Sequence, residues 1–106
     1  MWFVFPQIAG LGRSPTARFY AIADLTEARD YLRHALLGQR LEECTRAMLN
    51  WAGRRSAEAI LGPIDALKFR SSMTLFEEAA GGPSVFTDAI ELFYRGERDP
   101  MTLERL

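Results

Sequence analysis

Four residues within Ile64–Phe76 carry the groups best suited to chemistry: the Asp65 carboxylate, the Lys68 ammonium and the Ser71 and Ser72 hydroxyls. At about 100° per residue, a helix turns Arg70, Thr74, Glu77 and Glu78 onto one broad arc, which reads as the solvent face. Phe69, Met73, Phe76 and Ala80 form an apolar flank, with Ile64 and Leu75 on the other side. Asp65, Lys68 and Ser72 fall between the flanks, on the side expected to be buried. Lys68 is the chain's one lysine; the other twelve of its 13 basic residues are arginine. An ammonium taken out of water needs a partner, because the uncompensated charge costs several kcal/mol. Asp65 lies three residues away and within reach on a helix. Two readings follow: a structural Asp65–Lys68 pair, or a polar pocket in which Lys68 meets an anionic ligand.

Other candidates are weaker. Gly10-Leu-Gly-Arg-Ser14 invites a phosphate-loop reading, but its spacing fits neither the Walker nor the dinucleotide fingerprint. Ser14-Pro15 is a helix start, with Ser14 as N-cap and Pro15 in the first turn. Its free amides, with Arg13 beside them, suit an anion, although most such caps bind nothing. His34 is expected near a helix end, as a partner of the helix dipole. With one cysteine and one histidine, neither an internal disulfide nor a Cys/His zinc site is expected. No metal or cofactor is expected.

The elements that must position these groups are helical. A chain of 106 residues is expected to be one domain, and 48% hydrophobic with 25% charged residues matches a soluble globular protein. A net charge of −1 gives no general attraction to nucleic acid or acidic membranes. No apolar run approaches the roughly 20 residues of a membrane span, and the lone Cys44 favours a cytoplasmic location. Trp2-Phe-Val-Phe5 puts three aromatic rings in the first five residues, which must dock on something. The Ser14 helix should end near Ala23. Thr26-Glu27 starts a second helix, with Gly38 as a break or kink before a third. Leu37, Leu41, Cys44, Met48 and Trp51 repeat at helical spacing, which predicts a core stripe holding a buried, inert thiol. Ser56 caps a short helix that ends at Gly62-Pro63. The Ile64–Phe76 helix follows and runs to about Ala80, where Gly81-Gly-Pro83 breaks it. Ser84 starts a helix with Val85, Phe86, Ala89, Ile90 and Phe93 on its apolar face, stopped by Gly96. Asp99-Pro100 opens a last short turn. The expected fold is all-α, about six or seven helices with an extended aromatic N-terminal segment.

Several of these stretches resemble one bacterial family, the domain of unknown function numbered 1810. They are Met1–Ser14; Glu27-Ala28 with Tyr31-Leu-Arg-His34; Leu37-Gly-Gln-Arg-Leu41; Asp65 and Lys68 with Ser71–Phe76; and Gly96 and Asp99 with Thr102-Leu103. The resemblance covers nearly the whole chain and implies a compact helical fold. Family members are often labelled calpastatin-like, yet a calpain inhibitor of that type is a disordered chain, whereas this composition is globular. A more distant resemblance links the family to the NADAR (YbiA-like) superfamily, associated with NAD and ADP-ribose, whose members cleave N-glycosidic bonds of ribose derivatives. No NADAR catalytic motif carries over residue by residue. Relatives usually have a proline where this chain has Ala35. They also usually carry a helical segment before the Met-Trp-Phe motif, so the chain reads as N-terminally truncated, with Trp2, Phe3 and Phe5 more exposed than in a longer relative.

Two functions follow from these readings. The first is a binding or N-glycosidase-like domain for a nucleotide-type ribose phosphate ligand. Asp65 would be the catalytic carboxylate stabilising an oxocarbenium-like state. Lys68 or Arg13 would take the phosphate, Trp2 would stack the base, and Gln7, Ser71 and Ser72 would complete the binding set. The second is a non-catalytic interaction module that docks onto a partner or dimerises through its aromatic N-terminal segment, with Trp2, Phe3 and Phe5 as the dimer contacts. Nucleic acid and membranes are not expected partners, for want of a basic stripe or an apolar span.

Overall fold

Six helices are present among the residues that the computed structural model describes, which are 5–11, 15 and 21–106. They are α1 (Leu25–Arg33), α2 (Ala35–Leu49), α3 (Ala57–Leu61), α4 (Pro63–Ala80), α5 (Val85–Tyr94) and α6 (Pro100–Glu104). Sequence punctuation accounts for most of their ends. Asp24 caps α1 by accepting from the Glu27 N–H, Ser56 caps α3 by accepting from Ala59, and Asp99 caps α6 by accepting from Thr102. Pro63 and Pro100 stand in the first turns of α4 and α6, where a missing N–H costs nothing. Between α3 and α4, Gly62 takes φ +87°, which turns the chain with no intervening loop.

The fourth helix is the hub. It packs against α1, α3, α5 and α6, while α2 closes the bundle against α1 and α5. Phe69, Met73, Leu75 and Phe76 are fully buried, and so are Ser72 and Thr74. All six residues from Ser71 to Phe76 are buried, so the helix has no solvent side there. That overturns the expected face of Arg70, Thr74, Glu77 and Glu78. Thr74 is 0% exposed, Arg70 and Glu77 are half-buried, and Glu78 alone of the four is exposed. The segment after α5 lies across this arc. Solvent meets the first turns instead, where Ile64 and Leu67 are 69% and 63% exposed.

The N-terminal segment is extended and docks. Phe5 sets its ring edge-on against Phe69 at 4.8 Å and is only 5% exposed. Phe5 is therefore core, which corrects the expectation that it is exposed; Trp2, Phe3, Arg13 and Ser14 lie outside the described residues. Ile8 and Ile22 form a parallel bridge in which the Ile22 N–H donates to the Gln7 carbonyl at 2.8 Å and the Ala9 N–H to Ile22 at 2.7 Å. The chain around Ile22 is thus extended, so any helix opened at Ser14 ends before it.

Further expectations change in the first two helices. The break between α1 and α2 falls at His34, whose Nδ1 accepts from the Leu36 and Leu37 N–H groups. His34 stands at the end of α1, as expected, and is at the same time the N-cap of α2. Gly38 lies inside α2, and glycine suits the position because a Cβ there would stand 2.2 Å from the Leu32 carbonyl oxygen. Cys44 is half-buried rather than core, and Trp51, at the end of the same stripe, is 46% exposed. Among the described residues no helix is long and apolar enough to cross a membrane.

Candidate functional site

One face of the first two turns of α4 stays open. Ile64, Leu67, Lys68 and Ser71 recur there at three, one and three residues, which is one side of a helix. Gln7 and Leu11 from the N-terminal segment, and Asp99 and Met101 from the start of α6, stand opposite. With Arg70 they line a cleft of about 330 Å³. That is the low end of the range for small-molecule sites, roughly 300–1,000 Å³. The lining is mainly apolar, with a few polar groups set into it.

Hydrogen bonds fix those polar groups. Asp99 Oδ2 accepts from Thr102 Oγ1 at 2.6 Å, from the Thr102 N–H at 3.1 Å and from Ser71 Oγ at 3.1 Å. Among the described residues nothing donates to Oδ1. The Asp99 N–H donates to Thr74 Oγ1 at 3.0 Å, so residues of two turns of α4 hold this carboxylate in place. Arg70 donates to the carbonyls of Glu97 and Arg98 at 2.7 and 2.9 Å. Gln7 is 8% exposed; its backbone is held by the bridge to Ile22, and its Oε1 is buried with no hydrogen-bond partner.

The 95–99 segment, which carries Asp99 to the cleft, is clamped a second time. Arg98 makes a two-pronged contact with Glu77, 2.8 Å to each carboxylate oxygen, and reaches Glu91 at 3.6 Å. The Arg98 hydrogen bond holds the Glu77 carboxyl below its ordinary range, and the same bond raises the guanidinium of Arg98. Tyr94 donates to the Ala66 carbonyl and ties α5 to the start of α4; burial raises its phenol above the ordinary value.

Of the residues expected from sequence, Gln7, Lys68 and Ser71 come together in this cleft. Ser72 does not line it; it is fully buried, and its Oγ has no partner. Asp65 is half-buried in the first turn of α4 and is not part of the lining. The pair expected between Asp65 and Lys68 is not among the ion pairs of the described residues. Trp2 and Arg13 lie outside those residues. Sequence reasoning placed Arg70 in solvent and read Asp99 only as a cap. Asp99-Pro-Met-Thr102 does signal a capped helix start, but its partner Ser71 stands 28 residues away and no local pattern reveals it. Among the described residues no group of three His, Cys, Asp or Glu side chains could hold a metal ion.

This architecture, a helical bundle around one buried helix with a polar-studded cleft at its open end, defines a small all-α domain. The chain belongs to the family of proteins of unknown function DUF1810, whose model matches residues 1–106. It is similar to the conserved hypothetical protein Rv1873 from Mycobacterium tuberculosis, whose crystal structure superposes with a TM-score of 0.93. The two are 48% identical over 99% of this chain and 74% of that one. None of the curated proteins searched matches the chain.

Proposed function

We propose that this chain binds a ribose phosphate ligand of the ADP-ribose or NAD type in the cleft between α4, α6 and the N-terminal segment. The observation that carries the reading is convergence. Gln7, Lys68, Arg70, Ser71 and Asp99 come from three separate parts of the chain to one largely apolar cleft. A sugar ring presents hydroxyls to acceptors such as a carboxylate or carboxamide, and its carbon face suits Leu67 and Met101. Lys68 and Arg70 supply positive charge for a phosphate. The volume suits a sugar phosphate moiety, with the rest of a larger nucleotide outside, where Trp2 and Arg13 are candidates to meet it. The distant NADAR resemblance read from the sequence points to the same ligand class, and such a ligand fits the cytoplasmic location proposed for the chain. Binding is better supported than cleavage. Asp65 is off the cleft, and Asp99 already spends Oδ2 on three donors.

The test is a thermal-shift panel of ADP-ribose, NAD and ribose 5-phosphate. A ligand that binds only the folded state raises Tm by mass action. The expected result is a rise that grows with ligand concentration and is largely lost in Lys68→Ala; no rise with any member of the panel would sink the reading.

One observation favours a second reading, an interaction module. Ile64, Leu67 and Met101, on the rim of the cleft, are 69%, 63% and 55% exposed, and such patches mark interfaces. Dimerisation through Trp2, Phe3 and Phe5 has less support, since Phe5 is packed on Phe69. A mass that rises with concentration in sedimentation, and falls with Leu67→Ser, would favour this module; a monomer at all concentrations would exclude a dimer.

A further inference from the structure

The buried carboxamide of Gln7 is the least explained polar group beside the cleft. An unpaired buried acceptor is costly, and among the described residues nothing donates to the Gln7 Oε1. The backbone of Gln7 is fixed, because its carbonyl is tied to Ile22 and its neighbours Phe5, Pro6 and Ile8 are all buried, so only the side-chain torsions can re-aim the carboxamide. A leucine or methionine would fill the same space without that cost. Across the cleft, Asp99 is held on Oδ2 by Ser71 and Thr102, while Oδ1 receives nothing from the described residues. The orphaned acceptor of Gln7 and the Asp99 Oδ1, which has no donor among the described residues, thus belong to two residues that line one cleft, each on a backbone fixed by hydrogen bonds. Neither complements a phosphate, which presents acceptors only. Both complement hydroxyl groups, each of which brings a proton to donate.

We infer that Gln7 and Asp99 read the ring hydroxyls of the ligand, with Gln7 as the residue that sets selectivity for a hydroxylated sugar over its deoxy analogue. The inference rests on the proposed ribose phosphate reading and deepens it. Lys68 and Arg70 hold the anionic end and are indifferent to the ring. Gln7 and Asp99 hold the ring and are indifferent to the anion. The terminal amide torsion of glutamine has two broad wells, so the carboxamide can turn its oxygen toward an arriving hydroxyl.

The experiment is calorimetric titration of the wild type and Gln7→Met with two probes: ribose 5-phosphate, and 2,3-dideoxyribose 5-phosphate, which keeps the ring, its anomeric hydroxyl and the phosphate but lacks the 2- and 3-hydroxyls. Wild type is expected to bind the hydroxylated sugar about tenfold or more tightly than the dideoxy sugar, the worth of one recovered hydrogen bond. Gln7→Met is expected to lose most of that preference while keeping its affinity for the dideoxy probe. It should also melt no lower than wild type, because an orphaned acceptor has been replaced by an apolar group of similar shape. Equal affinity of the wild type for both probes overturns the inference and leaves the binding reading standing. No binding of either probe overturns both. A Gln7→Met variant that keeps the wild-type preference, or that melts several degrees lower, overturns the role given to Gln7.

Discussion

Asp99 is the residue on which the open end of the molecule turns. One carboxylate oxygen caps α6, fixes the Thr102 hydroxyl and receives Ser71 from the hub helix. Replacing the cap with alanine removes an acceptor from three donors at once, and Thr102 is fully buried, so it cannot turn to water. Asp99→Ala is expected to lower stability by roughly 1–3 kcal/mol, the cost of a lost cap plus unpaired buried donors, read from urea unfolding at neutral pH. Asp99→Asn keeps a side-chain acceptor and should lose less; equal losses in the two variants would show that the cap contributes little. His34 works on the same principle with a rarer group. Its Nδ1 accepts two backbone N–H groups, so the proton of the neutral ring belongs on Nε2. Serine and aspartate announce their caps at Ser56 and Asp99. Nothing in the local sequence says that a histidine does so at His34, which is why its role emerged only with the structure.

At the scale of elements, what was legible followed a rule. Helices with one wet side showed it: Phe86, Ala89 and Ile90 of α5 are buried as their spacing predicts. The hub helix shows no such period because it is wrapped by neighbours, and a wheel drawn on it must assign a solvent face that is absent. Thr74 and Arg70 were misplaced for that reason; their polar atoms are satisfied by the 95–99 segment rather than by water. Gly38 is a related case. It looks like a break, yet it serves as the point where the end of α1 approaches α2. Alanine is the better helix former by about 1 kcal/mol, but its Cβ would meet the Leu32 oxygen at 2.2 Å. The clash should win, so Gly38→Ala is expected to destabilise by about 2–3 kcal/mol in chemical unfolding; a neutral or stabilising change would refute the close approach. The clamp on the 95–99 segment has a pH signature. The folded Glu77 carboxyl lies below its ordinary value of 4.5 because Arg98 donates to it. The stability it contributes is therefore complete above that value and is lost as pH falls through the lower, folded value. Glu77→Gln should cost roughly 1–2 kcal/mol at pH 7 and show a shallower loss of stability below about pH 4.5 than the wild type. Melting curves from pH 7 to pH 2 would separate the two, and parallel curves would count against the clamp.

For the whole molecule, the consequence is that the core and the candidate site lie along one helix and meet at Ser71, which lines the cleft and donates to the Asp99 cap. The class of fold, the positions of most helix ends and three of the cleft residues could be read from the chain, because caps, prolines and periodicity are local signals. The cleft itself could not, since it joins Gln7, Ser71 and Asp99 across most of the sequence. The radius of gyration of 12.5 Å is that of one compact domain of this length, for which a total stability of about 5–15 kcal/mol is typical. Phe69 lies at the centre, 0% exposed and in ring contact with Phe5, Phe93 and Tyr94. Truncating a buried phenylalanine costs about 3–5 kcal/mol, so Phe69→Ala should take away at least about a fifth of the total and bring the melting temperature down steeply. Two residues earlier on the same helix, Leu67 is 63% exposed and lines the cleft. Leu67→Ala should change stability by less than about 0.5 kcal/mol, as exposed positions do, while removing apolar surface from the side of the cleft proposed to meet the sugar. Circular-dichroism melting and calorimetric titration of the two variants therefore make one comparison. If Leu67→Ala melted as low as Phe69→Ala, the open end of α4 would be part of the core rather than a site. If it melted as wild type and bound ribose 5-phosphate more weakly, the hub helix would be carrying the fold on one stretch and the ligand on the next.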